Sequence, residues 1–175
     1  PPFGSMTIVE WLTTLTDYVA VVEIASAEGA LSDKSDWVIT TYTASVVELL
    51  KDAKQPTPRA DQQVSFRVSG GQVDLRGRRV RAETPWIREF RLGHRYLVFG
   101  HISSDGVLQV SQLTSYEILG QRLRSMADIG VGGKPANDAG DLAPTDAFAL
   151  IRLAAARRPA AEGALSRSEL TTAIT

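Results

Sequence analysis

Hydrophobic and polar side chains alternate with a period of two through much of residues 18–119, which predicts β-strands. The longest such run without glycine or proline covers residues 37–51, and its first charged residue is Glu48. Tyr42, Ala44 and Val46 share one face of this run, and the alternation is lost after Val46. We therefore predict one long strand that bends around a barrel corner, with a β-bulge near residues 47–48.

Further strands are predicted at residues 18–27, 63–69, 72–82 and 96–102, and a partner strand at 107–113. A polar hairpin loop is expected at 28–36, a turn at Gly70-Gly71, a bulge or strand break near Gly77, a hairpin turn at 103–106, and a short strand or turn at 116–119. Residues 84–92 follow neither period, and we predict a loop there that inserts Trp86 and Phe90 into the interior as plugs.

Helices are predicted at both ends of the chain. Thr7 and Glu10 have capping-box spacing before an apolar stripe of Ile8, Trp11, Leu12 and Leu15, which we expect to pack on the sheet. A helix is also expected at residues 144–158, with Pro144 near its start and Pro159 after its end. A second short helix is expected at 166–174.

These elements predict a mainly β (α+β) fold, a five- to six-stranded OB-like antiparallel barrel with a short N-terminal helix and C-terminal helices. Residues 1–5 are expected to be a tag or disordered, and residues 6–120 to form the barrel domain with its helix. Residues 121–143 are expected to be a flexible linker and residues 144–175 a helical appendage. The core is expected to gather Tyr42, Val46, Phe66, Val68 and Val98.

The order of a short helix, YVAVVEI, a polar loop, YTASVVELLKD, VSFRVSGG and a Gly-x-Arg-Tyr-Leu-Val-Phe strand resembles a group of exported bacterial proteins of uncharacterised function. Their domain is similar to the OB-like barrel of netrin modules and of tissue inhibitors of metalloproteinases. The resemblance covers about residues 7–120 and implies a fold and export, with no reaction. Those inhibitors act through an N-terminal cysteine, which this chain lacks, so their activity does not carry over.

Composition narrows the chemistry. The 175 residues carry a formal net charge of −1 and no cysteine, which excludes disulfides, thiol catalysis and cysteine zinc sites. No apolar run is long enough to predict a membrane span. No signal peptide is recognised, so the chain is expected to be cytosolic, already processed or an excised piece, and the compartment stays open with export favoured by the resemblance.

Candidate catalytic and metal-binding motifs are weak. His94 and His101 fall on opposite strand faces without a carboxylate at ligand spacing, and a glycine-rich stretch at residues 130–135 lacks the Ser or Thr of a phosphate loop. The triad residue types around His101 lie within one hairpin turn rather than converging from separate elements. We predict no catalytic residue, no cofactor and no metal ligand.

An arginine-rich segment is the strongest chemical feature. Residues 1–61 carry nine acidic and four basic side chains, whereas Glu83 and Glu89 are the acids among seven arginines at residues 76–95: Arg76, Arg78, Arg79, Arg81, Arg88, Arg91 and Arg95. This basic contact surface, with Trp86 and Phe90 as aromatic contacts, would suit single-stranded nucleic acid on an OB-like barrel. The other reading is a solvated face whose arginines pair with the acidic first half, within the chain or across a subunit contact.

We therefore predict a non-catalytic β-barrel module for protein–protein interaction or assembly. One form of such a module is an exported subunit that self-assembles into filaments. The expected partner is a protein, either another one or a second copy of this chain. No membrane span is expected in this chain. The alternative is an OB-fold protein that binds single-stranded nucleic acid, and the second alternative is an enzyme of unknown class.

Overall fold

The computed structural model describes residues 6–52, 60–103, 107–127, 139 and 142–157. Two helices, nine strands and one short 3₁₀ turn occur in them. The helices are α1 (Ile8–Leu15) and α2 (Pro144–Ala156), and the 3₁₀ turn covers Gln112–Thr114. The strands are β1 (Tyr18–Leu31), β2 (Val38–Lys51), β3 (Gln63–Ser69), β4 (Gly71–Leu75), β5 (Arg78–Ala82), β6 (Arg95–Ile102), β7 (Leu108–Val110), β8 (Tyr116–Leu119) and β9 (Arg122–Ser125).

Five strands close into a barrel in the order β1-β2-β3-β7-β6, and β6 pairs back to β1. The predicted OB-like five-stranded barrel is confirmed. One pair differs from the all-antiparallel expectation, because β3 and β7 run parallel where Phe66 lies opposite Leu108. A closed ring with an odd number of strands cannot alternate direction at every step, so one parallel neighbour is required.

The barrel interior contains the residues that the period-two pattern places on one face. Tyr42, Val46, Phe66, Val68 and Val98 lie in one buried cluster, as predicted. β3 shows the alternation most clearly, with Val64, Phe66 and Val68 buried between exposed neighbours. Because these side chains converge from different strands, the barrel has one continuous apolar core.

The bend of β2 comes from β-bulges. Val21 pairs with Glu48 and Val22 pairs with Val46, so Val47 is an extra residue with no partner of its own on β1. This confirms the predicted bulge position. The burial pattern of β2 changes at the same residue, because inserting one residue reverses which side chains point inward.

A second core lies on the outer face of β1 and β6, where the two helices and β8–β9 cover Val19, Val21, Leu97 and Phe99. Ala147 and Ile151 of α2 are fully buried in it. The helix predicted as an appendage is therefore packed against the barrel domain. No helix in the described part of the chain is both long and apolar enough to cross a membrane.

Helix α1 confirms the capping box, since Thr7 and Glu10 bond to each other's backbone N–H groups. The buried face predicted for α1 is wrong, because Trp11 and Leu15 are half exposed. The buried residues of α1 are Val9, Leu12 and Thr13. Thr13 can be buried because its hydroxyl donates to the Val9 carbonyl oxygen at 2.6 Å, so no polar group is left unsatisfied.

Several predicted boundaries also move. β1 continues to Leu31, into the expected loop at 28–36, because it pairs with β2 as far as Val38. The predicted break at Gly77 is a hairpin turn between β4 and β5, where Arg76 and Gly77 have φ of 48° and 79°. β9 occupies the start of the expected linker at 121–143, since it pairs with β8. The predicted tag, the helix at 166–174 and residues 104–106 of the predicted turn at 103–106 lie outside the described residues.

Candidate binding cleft at the barrel mouth

An open cleft of about 480 Å3 lies at the end of the barrel where β3 passes into β4. We call it the barrel-mouth cleft. Tyr42 and Val68 of the barrel line it, with the end of β5, seven residues between positions 83 and 91, and one residue of β9. Its size is within the range of roughly 300–1,000 Å3 that is usual for ligand sites. The charged side chains in its lining are Arg81, Arg88, Arg91, Arg124, Glu83 and Glu89.

Two glycines make the corner beside the cleft. Gly70 and Gly71 have φ of 104° and 109°, a conformation that other residues rarely adopt. A Cβ on Gly71 would lie 2.0 Å from the Thr40 hydroxyl oxygen, and that hydroxyl donates to the Gly70 carbonyl oxygen at 2.7 Å. The chain therefore turns sharply after β3 into the β4–β5 hairpin, which is a separate two-stranded sheet, and Gly71, Arg81 and Ala82 at the base of this hairpin line the cleft.

The segment of residues 83–91 also contributes to the lining and is held in place although it contains no strand. Ile87 forms an isolated bridge with Ala127, and the Arg88 N–H donates to the Met126 carbonyl oxygen at 2.8 Å. Gln112 Nε2 donates to the Arg88 carbonyl oxygen at 2.9 Å. These bonds fix the backbone from which Arg88 and Arg91 project.

Phe90 anchors the same segment in the barrel core and is only 4% exposed. Its ring makes edge-to-face contacts with Tyr42, Phe66 and Tyr96 at centroid distances of 5.2, 5.4 and 4.8 Å. The prediction that Phe90 is a plug is confirmed, and its burial contradicts the other prediction for this residue, an aromatic contact on the basic surface. Trp86 does not act as a plug, because 51% of it is exposed. It stands between Pro85 and Ile87, which both line the cleft.

One buried carboxylate lies behind the cleft. Glu117 is 1% exposed, and its two oxygens accept from Arg91 Nη2 at 2.8 and 3.0 Å. His94 Nδ1 lies 2.8 Å from Glu117 Oε1, and the Tyr96 hydroxyl lies 3.5 Å from the same oxygen. Hydrogen bonding to Glu117 and its negative charge raise the pKa of the Arg91 guanidinium. Arg91 is therefore both charged and oriented.

The other arginines of the cleft differ in their partners. Arg81 forms ion pairs with Glu83 and Glu89, and the guanidinium of Arg88 donates to the Ser125 carbonyl oxygen at 3.4 Å. Arg124 lies directly opposite Glu117 in the β8–β9 ladder. Its side chain makes no ion pair or hydrogen bond with the residues that the structure describes.

The seven arginines predicted as one surface are divided by the fold. Arg81, Arg88 and Arg91 line the cleft. Arg76, Arg78 and Arg79 lie on the β4–β5 hairpin and its turn, where Arg79 pairs with Asp74 at 3.3 Å, and Arg95 of β6 pairs with Glu23 at 2.9 Å. Arg95 pairs with an acid of the first half, as one of the two sequence interpretations expects. Arg79, Arg81 and Arg91 instead pair with acids outside residues 1–61.

The residues that sequence reasoning missed are Glu117, Arg124 and Gln112. Glu117 had one usable signal, since it is a lone carboxylate between Tyr116 and Ile118 in a short predicted strand. Such a position predicts a buried charge that needs a cation. Nothing in the sequence identifies Arg91 as that cation, because the two residues are 26 positions apart.

The two histidines each contact one carboxylate. His101 Nδ1 lies 3.1 Å from Asp17 Oδ2 on the surface, and His94 contacts Glu117. Within the described ranges, no group of three or more His, Asp or Glu side chains is arranged to hold a metal ion. The glycine-rich stretch at 130–135 lies outside those ranges.

Comparison of the sequence with protein-family models finds no match, and comparison with curated proteins finds none either. The resemblance to netrin modules and metalloproteinase inhibitors, with the export that it implies, therefore stays a prediction. What the structure establishes is an OB-like barrel whose mouth carries an arginine-lined cleft backed by a buried glutamate.

Proposed function

We propose that this chain is a non-catalytic module that binds another protein, and that the partner contacts the barrel-mouth cleft. The observation that carries the proposal is the side-chain content of the cleft, four arginines in an open recess beside the half-exposed Trp86. Arginine and tryptophan are enriched among the residues that dominate binding energy at protein interfaces. The mouth of a β-barrel is also a preferred position for binding sites.

The cleft is preorganised, which also supports binding. Arg91 is held by Glu117, Arg81 is held by Glu83 and Glu89, and Phe90 anchors the segment between them. Association orders side chains at a cost of roughly 0.5–1.5 kcal/mol for each long side chain that becomes immobile. Arginines that are already oriented by their own chain lose less freedom when a partner arrives.

We expect the partner to be a different protein rather than a second copy. Self-assembly through charge would join the acid-rich first half of one copy to the arginines of the next. Three acids of that half are already paired within the chain: Asp17 with His101, Glu23 with Arg95, and Glu48 with Arg152. A head-to-tail contact that used these three acids would have to exchange their pairs for new ones of similar strength.

Single-stranded nucleic acid is the second candidate, because basic side chains and Trp86 occur together. OB-folds bind oligonucleotides on the outer faces of β2 and β3, and the residues on these faces do not favour such binding. These faces carry Thr41, Thr43, Ser65 and Arg67 and no aromatic ring on which a base could stack.

Site-specific crosslinking tests the proposal. A photo-reactive phenylalanine analogue at position 86, expressed in the source cells, is expected to form adducts with protein. The same analogue at Trp37, a tryptophan of similar exposure on a different element, is the matched control. Equal adducts at both positions, or no protein adduct at 86, would contradict the proposal. A nuclease-sensitive adduct would favour the second candidate, and light scattering of the purified chain would reveal self-assembly.

A further inference from the structure

We infer that the barrel-mouth cleft recognises an acidic segment of the partner, and that Arg124 is the cation that receives one of its carboxylates. This inference rests on the proposed function, because it names the chemistry of the partner at the same site. It goes further in stating which charge is recognised and which arginine does it.

The cleft has an excess of positive charge, which favours an acidic ligand. Four arginines line it against Glu83 and Glu89, and Glu117 behind it compensates the charge of Arg91, so one excess positive charge remains. Glu83 and Glu89 are both within ion-pair distance of Arg81 and are therefore already occupied. An acidic ligand would complete the charge balance.

The buried carboxylate supplies the second argument. Arg91 and His94 contact Glu117, and Arg124 is its partner across the β8–β9 ladder. Cross-strand neighbours have Cβ atoms about 4.5–5.5 Å apart, so Arg124 lies close to this cluster without bonding to it. Arg91 Nη2 bonds to both oxygens of Glu117 and His94 Nδ1 contacts one of them, so the carboxylate already has partners other than Arg124. The geometry leaves the Arg124 guanidinium available to a carboxylate from outside.

The form of the site favours a protein segment over a nucleic acid. A polyphosphate chain needs a continuous basic track, and here Glu83 and Glu89 interrupt the arginines. Spaced carboxylates on a peptide can pass such glutamates, because uncharged residues can be placed opposite them. Arginine also suits carboxylates through its planar pair of N–H donors.

The test uses purified full-length chain and labelled peptides of twelve residues that carry none, two, four or six Asp and Glu, measured by fluorescence anisotropy. Affinity is expected to rise with the number of carboxylates and to disappear when each is replaced by Asn or Gln. The R124Q variant is expected to weaken binding about tenfold, the effect of losing one charge-assisted hydrogen bond. R122Q is the matched control, because Arg122 is exposed on the same strand and does not line the cleft. It is expected to change affinity less than about twofold.

Each possible result supports or overturns the inference about Arg124. Equal losses in R124Q and R122Q would show a diffuse charge effect and overturn the inference. The absence of acidic-peptide binding, together with a protein adduct at position 86, would overturn the inference and leave the proposed function standing. Tighter binding of a thymidine oligonucleotide of equal charge, falling steeply with salt, would overturn both. Matching circular dichroism spectra and melting temperatures establish that both variants fold.

Discussion

Phe90→Ala should both destabilise the fold and loosen the barrel-mouth cleft. Phe90 is 4% exposed and contacts three aromatic rings in the barrel core. Truncating a buried phenylalanine costs about 3–5 kcal/mol, which combines the lost transfer free energy with the cavity left behind. The three edge-to-face pairs, at about 0.5–1.5 kcal/mol each, place this site in the upper part of that range. We expect the free energy of unfolding to fall by about 4 kcal/mol.

Urea unfolding measures this change, and amide hydrogen exchange locates it. The Arg91 N–H donates to the Tyr96 hydroxyl oxygen at 2.8 Å and the Arg88 N–H donates to Met126, so both amides report on residues 83–91. Both should exchange faster in Phe90→Ala, because the segment loses its anchor. Trp86→Ala on the same segment is the control and should change stability by about 0.5 kcal/mol or less. A cost below about 1 kcal/mol for Phe90→Ala, or equal costs for the two variants, would refute the assignment of Phe90 as the anchor.

Three further predictions concern the frame around the cleft. Gly29→Ala would place a Cβ 1.8 Å from the Gln72 carbonyl oxygen, so the β4–β5 hairpin must move, at a cost of about 1–3 kcal/mol in urea unfolding; wild-type stability would contradict this contact. Thr7→Ala removes the helix cap and should cost about 1 kcal/mol in the same assay, and no change would mean that the cap is unimportant. Burial raises the pKa of Tyr18 and Tyr42 to about 12. The folded state therefore favours the protonated phenols, and this stabilisation, complete below pH 10, is lost as pH rises from 10 to about 12. Absorbance at 295 nm should show that these two tyrosines ionise late together with Tyr96, whose pKa burial also raises. Ionisation of all four tyrosines near pH 10 in folded protein would contradict their burial.

The strands were predictable because barrel burial imposes a period of two. Phe66 and Val68 alternate with exposed residues, and the bulge near Val47 could be located because the apolar pattern changes parity there. In β1 the apolar residues occupy both parities. Tyr18 and Ala20 face the barrel interior, and Val19 faces the second core. The sequence indicates two-sided burial there, although nothing in a local pattern says that α1 and α2 provide the cover.

Residues 84–92 show where a local pattern is insufficient. Trp86 and Phe90 are both large aromatic residues on a segment without periodicity, and both were predicted as plugs. Only Phe90 enters the core, because the bridge from Ile87 to Ala127 fixes the direction of the chain. That bridge joins residues 40 positions apart, and a contact of this kind is determined by the closed sheet rather than by neighbours in sequence.

The candidate site was predictable only in part for the same reason. The density of arginines at residues 76–95 pointed to the right region, and three of those seven side chains line the cleft. Arg124 and Glu117 come from β9 and β8, which pair at the edge of the sheet behind residues 83–91. Which arginines meet acids of their own chain depends on this pairing, and so does the difference between Arg91 and Arg124.

The most direct test of the barrel mouth as the binding surface is a nuclear magnetic resonance titration that follows the arginine Nε–Hε signals as an acidic peptide is added. Binding at the barrel mouth predicts chemical-shift changes that are concentrated at Arg81, Arg88, Arg91 and Arg124. The signals of Arg67 on the β2–β3 face and of Arg76 and Arg78 on the hairpin should stay nearly unchanged. Larger chemical-shift changes at Arg67, Arg76 and Arg78 than at the cleft arginines would contradict binding of the peptide in the barrel-mouth cleft.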